Sequence, residues 1–442
     1  MQKIDLTKGK VTKVLLATAI PIMGSSLLQF TYNLVDMLFV GRLGSDAVAS
    51  VGSSSFFIGL GYSINAIVVI GTGIKVAHSI GNSDEIKTKG YINSGLILNF
   101  IIGLIYSLLL VLLGKELISF LDLGNLRVER DGYIYLALSA PMLFFAFFNL
   151  LYTRILSSYG NNKIALKINA VGVLTNIILD PILIYTFGFG VKGAAIATLI
   201  SNVLMFVLYN IKSNKMLYYD FKIKYSVQKI IEIIKLGFPM SFQRVLFTLV
   251  NISLAKIISN FGSDAIAAQK IGLQIESITF MVIGGLNGAI SSFAGQNFGA
   301  KKYKRILDGY NSSLRIGLIY SLFMALIFIF IPGSLVSLFI KEDNTASIAC
   351  GYLQIVGLSQ LFSTIEMVSN GLFTGVGKPK IPAIISIIFT VLRIPMALIF
   401  IRSIGVNGIW LSIALSSVLK GITAYLLYIV TVRKEYTNAK YI

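Results

Sequence analysis

The residues best placed to do chemistry are ionisable groups inside otherwise apolar stretches: Asp36, Arg154, Asp180, Arg244, Glu276, Glu366, Arg393 and Lys420. A charge at the centre of a hydrocarbon layer costs roughly 2.5–3.5 kcal/mol on insertion scales, so each such group needs a partner or a wet cavity. Gln29, Asn33 and Asp36 recur at spacings of four and three and share one helix face. Asn176 and Asp180 are four apart and also share a face. A carboxylate beside an amide oxygen offers hard ligands to Na⁺, or a protonatable site when buried. Pro181 follows Asp180 and cannot donate to the carbonyl one turn earlier, which leaves a further oxygen free. Glu276, Glu366, Arg244 and Arg393 are substrate-cavity candidates, with buried ion pairing as the alternative reading. Arg154 and Lys420 are expected to snorkel from span ends.

Other chemistries are poorly supplied. With one histidine, His78, and one cysteine, Cys350, neither a disulfide framework nor a His/Cys metal cluster can be built. A membrane-embedded enzyme would have only a carboxylate pair to work with. The stretch Gly188 to Gly193 fits G-x-G-x-x-G but lies between apolar spans, where no dinucleotide fold is expected. Gly377-Lys378 is followed by Pro379, so no phosphate-binding loop forms and ATP hydrolysis is not expected. No cofactor is anticipated.

The elements that position these groups are legible from composition. Of 442 residues, 55% are hydrophobic and 13% charged, half the charged share of a soluble domain. Apolar runs give twelve candidate spans, at 13–40, 47–74, 90–113, 131–157, 164–187, 193–211, 229–258, 264–294, 307–331, 345–375, 381–401 and 408–431. Each is long enough to cross a core of about 30 Å. Backbone groups in lipid must bond internally, and the ten-residue alternation of a barrel is absent, so the expected class is an all-α polytopic membrane protein. The short polar N-terminus is followed by a span too long for a signal-peptide core, with no small-residue cleavage site after it, so a cleavable leader is not expected. The net charge of +19 sits in short loops rather than on one face, which argues against nucleic acid. Lys3, Lys8, Lys10 and Lys13, the even loops (the sixth alone has Lys212, Lys215, Lys222, Lys224, Lys229 and Lys235), and Arg433, Lys434 and Lys440 carry most of it. Both termini are therefore expected in the cytoplasm.

The sixth connection, with Asn214, Tyr218, Tyr219 and Asp220, divides the chain almost in half, and the halves repeat. At a shift of 218, Pro21 falls on Pro239, Asn33 on Asn251, Gly44-Ser45-Asp46-Ala47 on Gly262-Ser263-Asp264-Ala265, and Gly81 on Gly299. At 217, Gly160 and Lys163 match Gly377 and Lys380, and Gly188 matches Gly405, although Gly190 to Gly193 also resembles Gly405 to Gly408. Two six-helix lobes, 1–215 and 216–442, related by a pseudo-twofold axis along the membrane normal are expected. Asp36 falls on Leu254 and Asn176 on Arg393, so the frame repeats but its charges do not. Pro21 and Pro239 are hinge candidates.

The span-one segment ending in Asp36, Val40-Gly41-Arg42-Leu43-Gly44, Asn176 to Pro181, Gly193 to Thr198 and Gly295-Gln296-Asn297-Phe298-Gly299-Ala300 together resemble the multidrug and toxic compound extrusion (MATE) family, in its DinF-like prokaryotic branch, over the whole chain. That resemblance implies a secondary exporter in a bacterial cytoplasmic membrane that exchanges organic, cationic compounds for Na⁺ or H⁺. It implies an N-lobe cation site at Asp36, Asn176, Asp180 and Thr198. Another branch uses an acid in span seven; here that span offers Gln243, Arg244 and Asn251 and no carboxylate. Lipid bilayer and small organic molecules are the expected partners of a monomer. A flippase for a lipid-linked sugar is the nearest rival, kept open by Arg154, Arg244 and Arg393.

Overall fold

The structure is a computed structural model that describes residues 4–213 and 216–438. Lys3, Asn214, Lys215 and Lys440, and the lobe division at 215, lie outside those residues. Among the described residues every regular element is a helix. In chain order they are α1 Val11–Gly41, α2 Ser45–Gly81, α3 Glu85–Ser119, α4 Leu126–Ser158, α5 Asn162–Pro181, α6 Val191–Lys212, α7 Val227–Ser259, α8 Ser263–Gly299 and α9 Tyr303–Phe330, then α10 Pro332–Val336, α11 Asp343–Gly357, α12 Gln360–Gly375, α13 Lys380–Val391, α14 Arg393–Ile404, α15 Asn407–Leu427 and α16 Lys434–Asn438. Short π-helical segments, Ile182–Thr186 and Tyr428–Arg433, extend α5 and α15.

Among the described residues eleven helical stretches are long and apolar enough to cross a membrane, and α11 with α12, taken as one span bent by 56°, makes a twelfth. The bend falls at Leu358 and Ser359 between two helices that hydropathy reads as one run. Gly357 and Ser359 stand where a sharp kink is expected. Several helices overrun their apolar limits. The 37 residues of α2 and of α8 span about 55 Å, well beyond a hydrocarbon core, so each continues into the polar layers.

The chain forms two compact units whose boundaries do not fall at the central loop. One holds Gly24–Ser241; the other holds Asp5–Met23 and Phe242–Ile442. α1 and α7 are thus each shared, their first turns in one unit and the rest in the other. The two cuts lie two residues after Pro21 and Pro239 and are related by the same shift of 218. α2 and α8 obey that shift at both ends, and each starts after a glycine with positive φ, 108° at Gly44 and 93° at Gly262. Farther along, the register changes. Gly190 and Gly405 share φ values of 54° and 58°, and each carbonyl accepts the N–H of the glycine three residues on, at 2.9 Å. Gly405 is therefore the partner of Gly190 rather than of Gly188.

In the first unit, Val68, Val76, Ile92, Leu151, Ile155, Ile168, Tyr209 and Ile233 share one core, so the opening of α7 is an integral part of it. The crossing of α2 and α7 is a backbone contact: a Cβ at Gly71 would meet the Ile233 carbonyl, and one at Gly237 the Ile67 carbonyl. Asn93 ties down the sixth connection, donating to the carbonyls of Asp220 and Ile223 (2.8 and 2.5 Å) and accepting from the Asp220 N–H at 3.0 Å. In the second unit the N-terminal segment is strapped to the start of α9. Arg305 donates to the carbonyls of Leu6, Lys8 and Gly9 at 3.3, 2.6 and 2.7 Å, Lys302 to that of Thr7, and Asn297 to that of Leu6.

Two outcomes follow from these contacts. Gly237→Val forces α7 off α2, and a loss of the monodisperse peak in fluorescence-detected size exclusion is expected; Gly59→Ala, which meets open space, leaves the peak intact. Arg305→Ala removes about 2 kcal/mol of charge-assisted bonding. Amide hydrogen exchange of residues 5–10 is then expected to rise at least about tenfold while that of α4 does not change.

Candidate functional site

The first unit holds a cluster of oxygens supplied by α1, α5, α6 and α4. α5 ends at Pro181 and passes into the π-helical turn Ile182–Thr186, which widens the helix just beyond Asp180. That turn is pinned to α1, with the Tyr185 hydroxyl donating to the Phe39 carbonyl at 2.6 Å. Val40, Ala47, Tyr135, Ile184, Ala194 and Ala195 form an apolar floor beside it. Asp180 is fully buried, Asn176 and Thr198 nearly so. With the Asn176 amide oriented to satisfy both its ends, Nδ2 donates to Asp180 Oδ2 at 2.9 Å and Oδ1 accepts the Thr198 N–H at 3.2 Å. Thr198 Oγ1 lies 3.2 Å from the Tyr32 hydroxyl and donates to the Ala194 carbonyl at 2.9 Å.

Asp36 completes the group. It is half-buried on α1, and its Oδ1 is a buried acceptor with no hydrogen-bond partner. Asp36 and Asp180 are close enough to interact electrostatically, and Tyr32 and Tyr135 lie within electrostatic reach of both. Among the described residues no lysine or arginine pairs with either carboxylate. Two carboxylates, an amide, a hydroxyl and two phenols make a compact hard-oxygen environment that lacks a fixed cation. Such a set suits a small cation or shared protons. No group of three or more His, Cys, Asp or Glu side chains fit to hold a metal occurs among the described residues.

The four residues Asp36, Asn176, Asp180 and Thr198 are thus brought together. Gln29 and Asn33 are not part of the cluster: they are exposed on α1 and bond to each other at 3.2 Å. Tyr32 was legible in principle, since it lies four residues before Asp36 on the same stripe; Tyr135, on α4, carried no local signal. Nor did the polar seam below the cluster, where Asn202 bonds the Thr198 carbonyl and Asn149 bonds Asn202, and Tyr209 joins Asn169 and Thr153.

The candidates of the second unit have different surroundings. Glu276 is buried and accepts from Tyr352 at 2.8 Å and Gln360 at 2.9 Å, one oxygen to each side of the α11–α12 bend. It therefore braces a kink instead of pairing with Arg244 or Arg393. Arg244 is exposed, Glu366 half-buried and Arg393 buried. Lys420 does not snorkel. It is 3% exposed in the middle of α15, with Nζ 3.4 Å from Ser386 Oγ. Arg154 is half-buried against Gly73 of α2.

Comparison with known proteins gives consistent results. The MatE family matches residues 21–182 and again 239–399, each match starting at one of the repeat-related prolines. The probable multidrug resistance protein YoeA of Bacillus subtilis is 29% identical over 432 residues, covering 91% of this chain and 90% of its own. The multidrug export protein MepA of Staphylococcus aureus is 25% identical over 432 residues, covering 95% and 94%. Among solved structures, a MATE protein in complex with MaL6 superposes with a TM-score of 0.92 at 23% identity over 100% of both chains. An outward-facing multidrug resistance MATE family transporter gives 0.89 at 22%, covering 99% and 98%. The chain therefore belongs to the MATE family, as a multi-pass membrane transporter of the multidrug efflux type and not an enzyme.

Proposed function

We propose that this transporter is an antiporter that expels organic, cationic compounds in exchange for Na⁺ or H⁺ bound at Asp36, Asn176, Asp180 and Thr198. The observation that carries the proposal is the pair of carboxylates in one unit with no fixed counter-charge, one of them with an unpartnered buried oxygen. Buried acids without a cation are poised to take one up, because burial penalises the ionised form until a cation or proton neutralises it. The names of the relatives YoeA and MepA support a multidrug cargo.

In this mechanism the cation site and the cargo site open to one side of the membrane at a time. Ion uptake from outside neutralises Asp36 and Asp180, lets the apolar floor close around them, and favours release of cargo. Ion loss to the inside restores the charge and recruits cargo again. A membrane potential of 100 mV contributes about 2.3 kcal/mol for each charge moved. α1 and α7, each shared between the two compact units with a proline beside the cut, are the segments that bend. The protein works as a monomer in a bacterial plasma membrane, with its termini and even loops in the cytoplasm.

Proteoliposomes test coupling. Export of an ethidium-like dye is expected under an imposed Na⁺ or pH gradient and to fall at least about tenfold in Asp36→Asn and in Asp180→Asn, since each removes a charge the cycle must neutralise. Gradient-independent export, or unchanged rates in both variants, rejects the assignment. Topology has its own test. In a Cys350→Ser background, Leu126→Cys is expected to react with an impermeant maleimide in intact cells and Asn82→Cys only after lysis; the reverse pattern overturns the orientation.

A further inference from the structure

The second unit holds a cluster of opposite character. Arg393, where α14 begins, and Lys420, on α15, are 7% and 3% exposed. Arg393 Nε donates to Ser416 Oγ at 2.9 Å, and Lys420 Nζ lies 3.4 Å from Ser386 Oγ. Ser416 and Lys420 are one turn apart on α15, and Ser386 and Arg393 two turns apart on the α13–α14 span, so the two faces meet as a crossed pair. Gln243 of α7 points its amide N–H at Ser386 as well, at 3.0 Å. Ser386 and Ser416 accept these bonds and keep their own hydroxyl hydrogens to give.

What this cluster lacks is an anion. Among the described residues neither Arg393 nor Lys420 has a carboxylate within 4.0 Å. The two cations repel each other, and the one carboxylate in electrostatic reach of both is Glu366. Glu276 also interacts with Arg393 at longer range, but both its oxygens are taken by Tyr352 and Gln360. The two buried cations thus share one carboxylate in reach of both, and Glu276, in reach of Arg393 alone, offers no free oxygen, so neither cation is hydrogen-bonded to an anion, a state that costs stability unless something compensates it. The remaining polar groups, a guanidinium fork, an ammonium, two hydroxyls and an amide N–H, all donate. A planar guanidinium with adjacent hydroxyls matches the geometry of a carboxylate or phosphate.

We propose that the second unit contains an oxyanion-binding site in which Arg393 and Lys420, supported by Ser386, Ser416 and Gln243, hold the carboxylate or phosphate group of a transported compound, with Glu366 as the resident counter-charge that the ligand displaces. The proposal deepens the export reading, on which it rests only for the ligand being cargo. It widens the cargo from organic cations to molecules that carry an acidic group.

Binding without any ion gradient tests the site apart from coupling. Purified protein in detergent is titrated calorimetrically with 2-naphthoate, 2-naphthyl phosphate and the neutral 2-naphthamide. One or both acids are expected to bind at least about tenfold more tightly than the amide, and whichever does so identifies the preferred oxyanion. Arg393→Gln and Lys420→Gln are each expected to erase that preference. Glu366→Gln removes the competing charge and is expected to tighten naphthoate binding severalfold, a gain that a damaged fold cannot mimic. Equal binding of all three probes, a preference that survives the Arg393→Gln/Lys420→Gln pair, or weaker naphthoate binding in Glu366→Gln overturns the proposal. Acid-selective binding together with gradient-independent dye export would reject the coupling assignment and leave this site standing.

Discussion

A charge surrounded by hydrocarbon must be neutralised, and much of this molecule can be read as an answer to that demand. Helices satisfy their own backbone in twelve stretches, so the remaining problem is confined to a handful of side chains. Two answers are used. Glu276 is accommodated by two neutral donors, Tyr352 and Gln360. Lys75 and Glu232 pair directly at 2.6 Å, with Tyr91 donating to the same carboxylate. Asp36 with Asp180 has no such partner, and Arg393 with Lys420 has only Glu366 at longer range.

The two open clusters sit in different units and have opposite sign. The repeated frame makes this informative. α2 and α8 match residue for residue at their ends, yet Asp36 falls on the buried apolar Leu254. Polar groups needed only to hold helices together would be expected in both copies. The frame is duplicated and the charges are not, so the scaffold does not by itself require them.

How much of this the sequence discloses varies with the range of the interaction involved. Hydrophobic run length located the spans because the bilayer fixes the length scale. The i, i+4 pair Asn176–Asp180 was legible because its geometry is helical and local. Thr198 came through family resemblance alone, since its approach to Asn176 depends on how α6 packs on α5. Tyr135 and the pairing of Arg393 with Ser416 were hidden for the same reason. The snorkelling expected of Lys420 failed because the residue lies near the centre of its span, too far from either end of α15 and its π-helical continuation for the ammonium to reach out. The register of the late repeat was ambiguous by two residues, and only backbone angles at Gly190 and Gly405 decide it.

The sharing of α1 and α7 bears on how the protein is made. The second unit is encoded in two separated stretches of message, and the first runs on past the central loop. The first unit cannot close its core until Ile233 and Gly237 have left the ribosome, some way past the midpoint of the chain. The second needs residues 5–23, which must wait through the synthesis of seven spans, α2 to α8, before their partners Asn297, Lys302 and Arg305 are all in place. An early helix is thus left with contacts outstanding during insertion, and separately expressed halves cut at the central loop would each lack a piece encoded in the other.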